Sequence, residues 1–312
     1  MTSYAELLKI TLPVFALFAL GLVLRRIGWM KREAEESILK LILNLFYPCL
    51  IFKSVLGNTA LREPGNLFSA PLAGFGTLVL GMAAGYYLGR LLGLSLGTGL
   101  RSFAFSVGIY NYGYIPIPLV DELWGKETLG VLLVHNVGVE FGIWTVGILM
   151  LAGLSPRDGW KKLANPVVLS LVAGLLLNTL QVALPPVTVR LVDVLAGCAI
   201  PLGLLASGAA LNEFLGKPSD LYDARVSLGG IVLRLGLLPL AFLALAKWAP
   251  VSTELKHVLV VEAAMPAGML PLVIARYYGG QPLVVAQVIL STTLVGIALI
   301  PLWIRLGLLW VG

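Results

Sequence analysis

Glu140 and Glu262 lie deep inside apolar stretches of a 312-residue chain. An ionised carboxylate at lipid depth costs several kcal/mol, on the order of 3, unless it faces a cavity or a partner. Each is therefore a candidate for ion coupling, either by exchanging a proton or by helping to hold sodium, for which Glu262 and Asn111 would supply oxygen ligands. Asn136 precedes Glu140 by four residues, so on a helix the two share a face. His135, five residues away, points off that face. Asn111 sits among Tyr110, Tyr112 and Tyr114. Its amide both donates and accepts, and is costly in lipid without a partner, while the tyrosines offer rings with hydroxyls to an amphipathic ligand. Two plainer readings stand beside these: the tyrosines only pack, and the carboxylates pair with Lys53 or Arg234 and only fix the structure.

The elements that carry these residues are unusual. The stretch SVGIYNYGYIPIPLVDELWG is interrupted by Gly108, Gly113, Pro116 and Pro118, and VVEAAMPAGMLPLVIARYYGG by Pro266, Gly268 and Pro271. Proline inside a helix removes a backbone bond and clashes with the preceding turn, so extended chain is expected from Tyr110 to Pro116 and again around Pro266. Unwound backbone at membrane depth is tolerated only where it is buried in protein or lines a watery cavity. Two such breaks predict one shared cavity, with Met269 and Gly268 beside Asn111 at its wall. Half-helix N-termini there offer unpaired N–H groups and a positive dipole end, which favours an anion.

Composition makes the solvent lipid. The chain is 58% hydrophobic and 12% charged, with a net charge of +6, whereas soluble domains carry about 25% charged residues. A helix needs roughly 20 residues to cross the hydrocarbon, and apolar stretches fall at Tyr4–Ile27, Ser37–Leu56, Leu67–Leu92, Arg101–Glu122, Leu129–Leu151, Pro166–Leu184, Val187–Leu215, Val226–Trp248, His257–Tyr278 and Leu283–Leu309. The expected fold class is an all-α polytopic membrane protein of ten spans with broken segments four and nine. One side gathers Arg25, Arg26, Lys31, Arg32, Arg90, Arg101, Arg157, Lys161, Lys162, Lys217, Arg225 and Arg276. The other has Lys9, Arg62, Lys126, Arg190, Lys247, Lys256 and Arg305. Positive residues favour the cytoplasm, so both termini are expected outside a cell membrane, plasma or bacterial inner. Lys9 before the first apolar run and Arg25-Arg26 after it mark a retained span rather than a cleaved signal. Cys49 and Cys198 read as small hydrophobes.

Sliding the chain against itself by 153 residues superposes Pro13 on Pro166, Pro48 on Pro201 and Pro118 on Pro271, with Gly21 on Gly174 and Gly76 on Gly229. Each half, 1–153 and 164–312, then holds five spans, and an odd number forces the second copy to enter from the opposite face. Inverted repeats give secondary carriers two mirror-related states from one sequence; duplication of a bundle with no transport role is the other reading.

On these residues the chain resembles the auxin efflux carrier family, its bacterial branch in particular, which includes the plant PIN exporters and bacterial carriers of malonate and similar acids. The resemblance is carried by EAAMPAGMLPLVIARYYGGQPLVVAQVILSTTLVGIALIPLWI in segments nine and ten, by Asn111 and Ile117-Pro118-Leu119 in segment four, and by Pro48. It implies crossing broken helices, a scaffold of segments 1, 2, 6 and 7, a moving part of segments 3–5 and 8–10, an elevator-like movement, and a homodimer formed through the scaffold. It also implies that Asn111 and the Pro266 break hold the substrate, with Asn136 and Phe141 beside them. More distantly, Glu262 is similar in position to a sodium-binding glutamate of the bile-acid/sodium symporter fold.

The expectation is a secondary carrier of a small organic anion, with proton or sodium as the coupling ion, no other cofactor and no nucleic-acid partner. The alternatives are a monovalent cation/proton antiporter, or a sodium-coupled symporter of another organic solute. An intramembrane enzyme has no support, because HExxH and metal-spaced His/Cys sets are missing from the sequence.

Overall fold

A computed structural model of the protein describes residues 3–152, 166–215 and 223–312. The helix α1 (Tyr4–Arg26) begins on a reciprocal cap: Ser3 Oγ accepts from the Glu6 N–H and the Glu6 carboxylate accepts from the Ser3 N–H. It ends on Arg25 and Arg26, which complement its negative dipole end. After a turn comes α2 (Arg32–Val55), with a widened turn at Ile42–Phe46 just ahead of Pro48, whose missing N–H breaks the regular ladder. Then follow α3 (Pro64–Leu91), the short α4 (Leu100–Gly108) and the long α5 (Pro116–Leu151). Within α5 the chain kinks at Gly125, whose φ of 70° and ψ of −162° are open only to glycine. The second half of the chain supplies α6 (Pro166–Thr179), α7 (Pro186–Leu215), α8 (Ala224–Trp248), the short α9 (Thr253–Ala264) and α10 (Leu270–Tyr277), and α11 (Pro282–Val311). Asp223 caps α8 and accepts from both Arg225 Nε and Nη2; that guanidinium holds the carboxyl below the usual carboxylate range.

Among the described residues, seven helices are long and apolar enough to cross a membrane: α1, α2, α3, α5, α7, α8 and α11. The pairs α4 with the start of α5, and α9 with α10, are each apolar stretches interrupted partway, at 109–115 and 265–269. Pro116, Pro118 and Pro271 do not sit inside those interruptions, as their spacing suggested. They occupy the first turns of α5 and α10, where a missing N–H costs nothing and a fixed φ starts the helix. The apolar segment expected to run to Leu184 stops as a helix at Thr179, because Gln181 takes a left-handed φ of 52°. Arg157, Lys161, Lys162 and Lys217, and the boundary between 153 and 164, lie outside the described residues.

The heaviest contacts fall into two groups, which are joined where α1 packs on α11 and α2 on α5. In one, α1 lies along α7, and α2 against α6 and α7; in the other, α3 packs on α5 and α4, while α9 packs on α5, α8 and α11. Both groups use glycine for backbone-to-backbone approach. A β-carbon on Gly21 of α1 would overlap the Leu205 carbonyl of α7, and one on Gly138 of α5 would overlap the Pro71 carbonyl of α3. Leu, Val, Phe and Trp are exposed around the outside, including Trp29, Phe68, Leu72, Val187 and Trp248, as expected where lipid is the neighbour.

Candidate functional site at the crossing of two interrupted helices

The two interruptions cross and hydrogen-bond to each other. Asn111 N–H donates to the Pro266 carbonyl and Gly268 N–H to the Ile109 carbonyl, both at 2.8 Å, so that Tyr110 and Ala267 pair as an isolated antiparallel bridge. Buried backbone groups must find partners, and the surrounding side chains complete the account. Thr292 Oγ1 of α11 accepts from the Ala267 N–H at 3.2 Å, and Asn136 Nδ2 donates to the Tyr112 carbonyl at 2.7 Å. Arg234 of α8 donates to the Met265 and Glu262 carbonyls at 2.9 and 3.0 Å. Asn111 Oδ1 accepts from the Ile115 N–H at 3.4 Å, just ahead of α5.

A cavity of about 730 Å³ reaches this crossing from one end of the bundle. Its floor is formed by Tyr110, Asn111, Tyr112, Gly113 and Tyr114 from the first interruption and by Gly268, Met269 and Leu270 from the second. Tyr47, Asn136 and Glu140 stand on its walls, and Arg25, Arg32, Glu35, Glu36, Lys40 and Arg276 surround its mouth. The N-termini of α5 and α10 thus both begin at the cavity floor, where their dipoles favour negative charge. Toward the opposite end of the bundle, amide and ammonium groups tie the elements together. Asn58 Nδ2 donates to the Lys126 carbonyl at 2.7 Å, Asn178 Nδ2 donates to the Asn58 carbonyl at 2.8 Å, and Lys126 Nζ donates to the Leu56 carbonyl.

Glu140 accepts from the Tyr112 hydroxyl at 2.6 Å and from the Trp144 indole N–H at 2.8 Å. Both of its oxygens therefore face donors. Glu262, fully buried beneath the crossing, is not on the cavity wall, and neither of its oxygens has a hydrogen-bond partner. Neither carboxylate pairs with Lys53, which binds Asp193 at 3.2 Å on α7, and neither forms an ion pair with Arg234. Phe141 turns away from the cavity and tilts against Phe75, with centroids 5.7 Å apart. Pro266 contributes its carbonyl to the bridge rather than a surface to the cavity. His135 is buried off the Glu140 face, with its ring nitrogens 3.5 Å from the Tyr110 hydroxyl and 3.3 Å from Asn136 Oδ1.

Sequence reasoning passed over Tyr47 and Thr77. Thr77 lies 2.9 Å from the Tyr110 hydroxyl and fixes that ring; Tyr47 meets Tyr114 edge-on at 6.1 Å and closes the cavity on the α2 side. Tyr47 carried one usable signal, its place directly before Pro48 where α2 is widened. Thr77 carried none, since a lone hydroxyl in a membrane helix ordinarily bonds its own backbone, as this one also does to Ala73.

Comparison of the sequence with known proteins places the chain among membrane transport proteins. The chain matches the family described as Membrane transport protein over residues 7–158 and 153–304. It is similar to an uncharacterized transporter of Methanothermobacter thermautotrophicus, 25% identical over 297 residues that cover 94% of this chain and 95% of the relative. It is also similar to an uncharacterized transporter of Methanocaldococcus jannaschii, 21% identical over 310 residues covering 95% and 97% of the two chains.

Proposed function

The chain belongs to the membrane transport protein family that contains the auxin efflux carriers, and from that premise we propose that it is a secondary carrier moving a small organic anion by alternating access. The family is one of multi-pass membrane transporters, not enzymes. The observation that carries the anion reading is the pair of helix N-termini, those of α5 and α10, that converge with the Asn111 amide on the floor of one cavity. Positive dipole ends without a fixed positive side chain hold a carboxylate firmly enough to select it and loosely enough to release it.

The proposed architecture has ten spans: α4 and residues 116–124 make the fourth, the rest of α5 the fifth, and α9 with α10 the ninth. The match of prolines at an offset of 153 residues supports two inverted halves. The group formed by α1, α2, α6 and α7 is the scaffold and the dimer surface, and the other group moves against it as an elevator. The cavity mouth carries Arg25, Arg32 and Arg276, residues of the more positive side of the chain, so the protein is read as inward-facing in a cell membrane, with both termini outside. The Asn58–Lys126 contacts are then the outer gate.

Of the two buried carboxylates, coupling is assigned to Glu140, which reaches the cavity, rather than to the enclosed Glu262. Donors occupy both Glu140 oxygens, which leaves no lone pair aimed at a metal cation, and protonation there must release the Tyr112 or Trp144 donor, which ties a proton taken up to a local rearrangement. The test is uptake of radiolabelled mono- and dicarboxylates into proteoliposomes under an imposed pH gradient. Accumulation that collapses in Asn111→Ala supports the reading; no acid of the panel accumulating under a gradient of either direction ends it.

A further inference from the structure

A helix interrupted within a membrane leaves its last carbonyls without donors and sets the negative end of its dipole at mid-depth. Carriers commonly turn such carbonyls to a coupling cation. At the end of α9 those carbonyls are already taken. Arg234 Nε donates to the Met265 carbonyl at 2.9 Å, and Nη2 to those of Glu262 at 3.0 Å and Ala263 at 3.4 Å. The guanidinium is fully buried and lies 5.0 Å from the ring centroids of both Tyr110 and Phe242. Its place on α8 is set by the widened turn Leu233–Leu237, whose Leu235 carbonyl is satisfied from α11 by the Trp303 indole N–H at 2.7 Å.

The other interruption shows that this is not the only way to close such an end. At the 153-residue offset, Arg234 corresponds to Gly81; matched on the bridge itself, where Tyr110 faces Ala267, Glu262 corresponds to Phe105. Around α4 the closure is steric: a β-carbon on Gly81 would lie 3.0 Å from the Gly108 Cα, and the Ile109 carbonyl accepts from Gly268 N–H. A glycine and a phenylalanine in one half thus stand where the other half has a guanidinium and a carboxyl group. The second break alone has an ionisable side chain of each kind beside it, and Glu262 lies on the same turn whose carbonyls Arg234 grips.

We propose that Arg234 is the resident cation of the crossing: its guanidinium fills the place at which a monovalent metal ion would be held, so the break at 265–269 binds no such ion and coupling is independent of sodium. The coupling clause rests on the carrier reading above. The test reads ion binding directly, so it stands or falls whether or not an organic acid is carried.

The purified chain in detergent is melted in sodium, potassium and choline chloride at one ionic strength. The expected melting temperatures are the same in all three salts. Arg234→Ala exposes the three carbonyls. It is expected to melt lower and to recover by roughly 5 °C or more in guanidinium at non-denaturing concentration or in sodium, relative to choline, as saturation of a cation site would give. Arg234→Lys, with the charge but not the planar fork, is expected between the two. A sodium-specific rise of that size in the unaltered chain overturns the proposal. So does an Arg234→Ala protein that melts like the parent in every salt, or one that gains no more from guanidinium or sodium than from choline. Should Arg234→Ala not fold, the salt comparison on the parent chain and the rank of Arg234→Lys decide alone.

Discussion

Replacing Gly268 by alanine tests the crossing at its tightest point. A β-carbon there lies 2.8 Å from the Tyr110 carbonyl oxygen, 3.2 Å from its carbon and 3.5 Å from the Asn111 Cα, and all three are backbone atoms of the other interruption. An ordinary carbon–oxygen contact begins near 3.4 Å, so the two strands of chain must separate by about 0.5 Å. That stretches the 2.8 Å bonds from Gly268 N–H to Ile109 and from Asn111 N–H to Pro266 to about 3.3 Å, beyond the usual range. Overpacking with two weakened buried bonds costs about 2–4 kcal/mol, or a fall in melting temperature of roughly 4–12 °C. Transport should fall at least about tenfold, because the same atoms form the cavity floor. Gly113→Ala is the control: its β-carbon meets the hydroxyl of Tyr47, the end of a side chain that can swing aside, so a loss below about 1 kcal/mol is expected. Neither glycine has a positive φ, so alanine is conformationally allowed at both. Equal melting temperatures and equal uptake for the two variants would refute the argument that the crossing is held by backbone contact.

Glu140→Gln keeps the shape and can still meet Tyr112 and Trp144, so substrate affinity should hold while the pH dependence of uptake flattens; a parental pH profile in proteoliposomes would remove Glu140 from coupling. Asn58→Ala strips the proposed outer gate of a buried amide bonded to the Lys126 and Ser54 carbonyls. It should lower stability by about 1–3 kcal/mol and raise labelling of a cysteine placed at Ser54 by an impermeant thiol reagent added outside. Gly138→Ala drives a methyl group into the Pro71 backbone and should destabilise the α3–α5 pair by about 2–3 kcal/mol, read by thermal melting, without altering the ion specificity of the protein.

The interruptions could be read from sequence because proline and glycine punctuate a membrane helix strongly; the repeat points to a shared cavity, and their crossing is implied by the family resemblance. Helix spacing put Asn136 and Glu140 on one face, and both line the cavity. Spacing could not say that the Asn136 amide is engaged by the Tyr112 carbonyl, because that bond depends on how α5 lies against the first interruption. The same limit separates Glu140 from Glu262: both are carboxylates in apolar runs, and only the packing of α9 encloses one of them. Phe141 and Arg234 show it from the other side. Local pattern gives each a helix position, but whether a ring meets Phe75 or a guanidinium meets three carbonyls is decided by elements distant in the chain.

The bridge between Tyr110 and Ala267 bears on how such a protein is made. A ribosome finishes the first interruption long before the second exists, and until residues 265–269 arrive Asn111 N–H and the Ile109 carbonyl have no protein partner. The early half must therefore keep that stretch near water or in borrowed contacts during insertion. Completion of the late half is what lets it settle, so two fragments split between α5 and α6 and synthesised together have a strong drive to reunite in the bilayer.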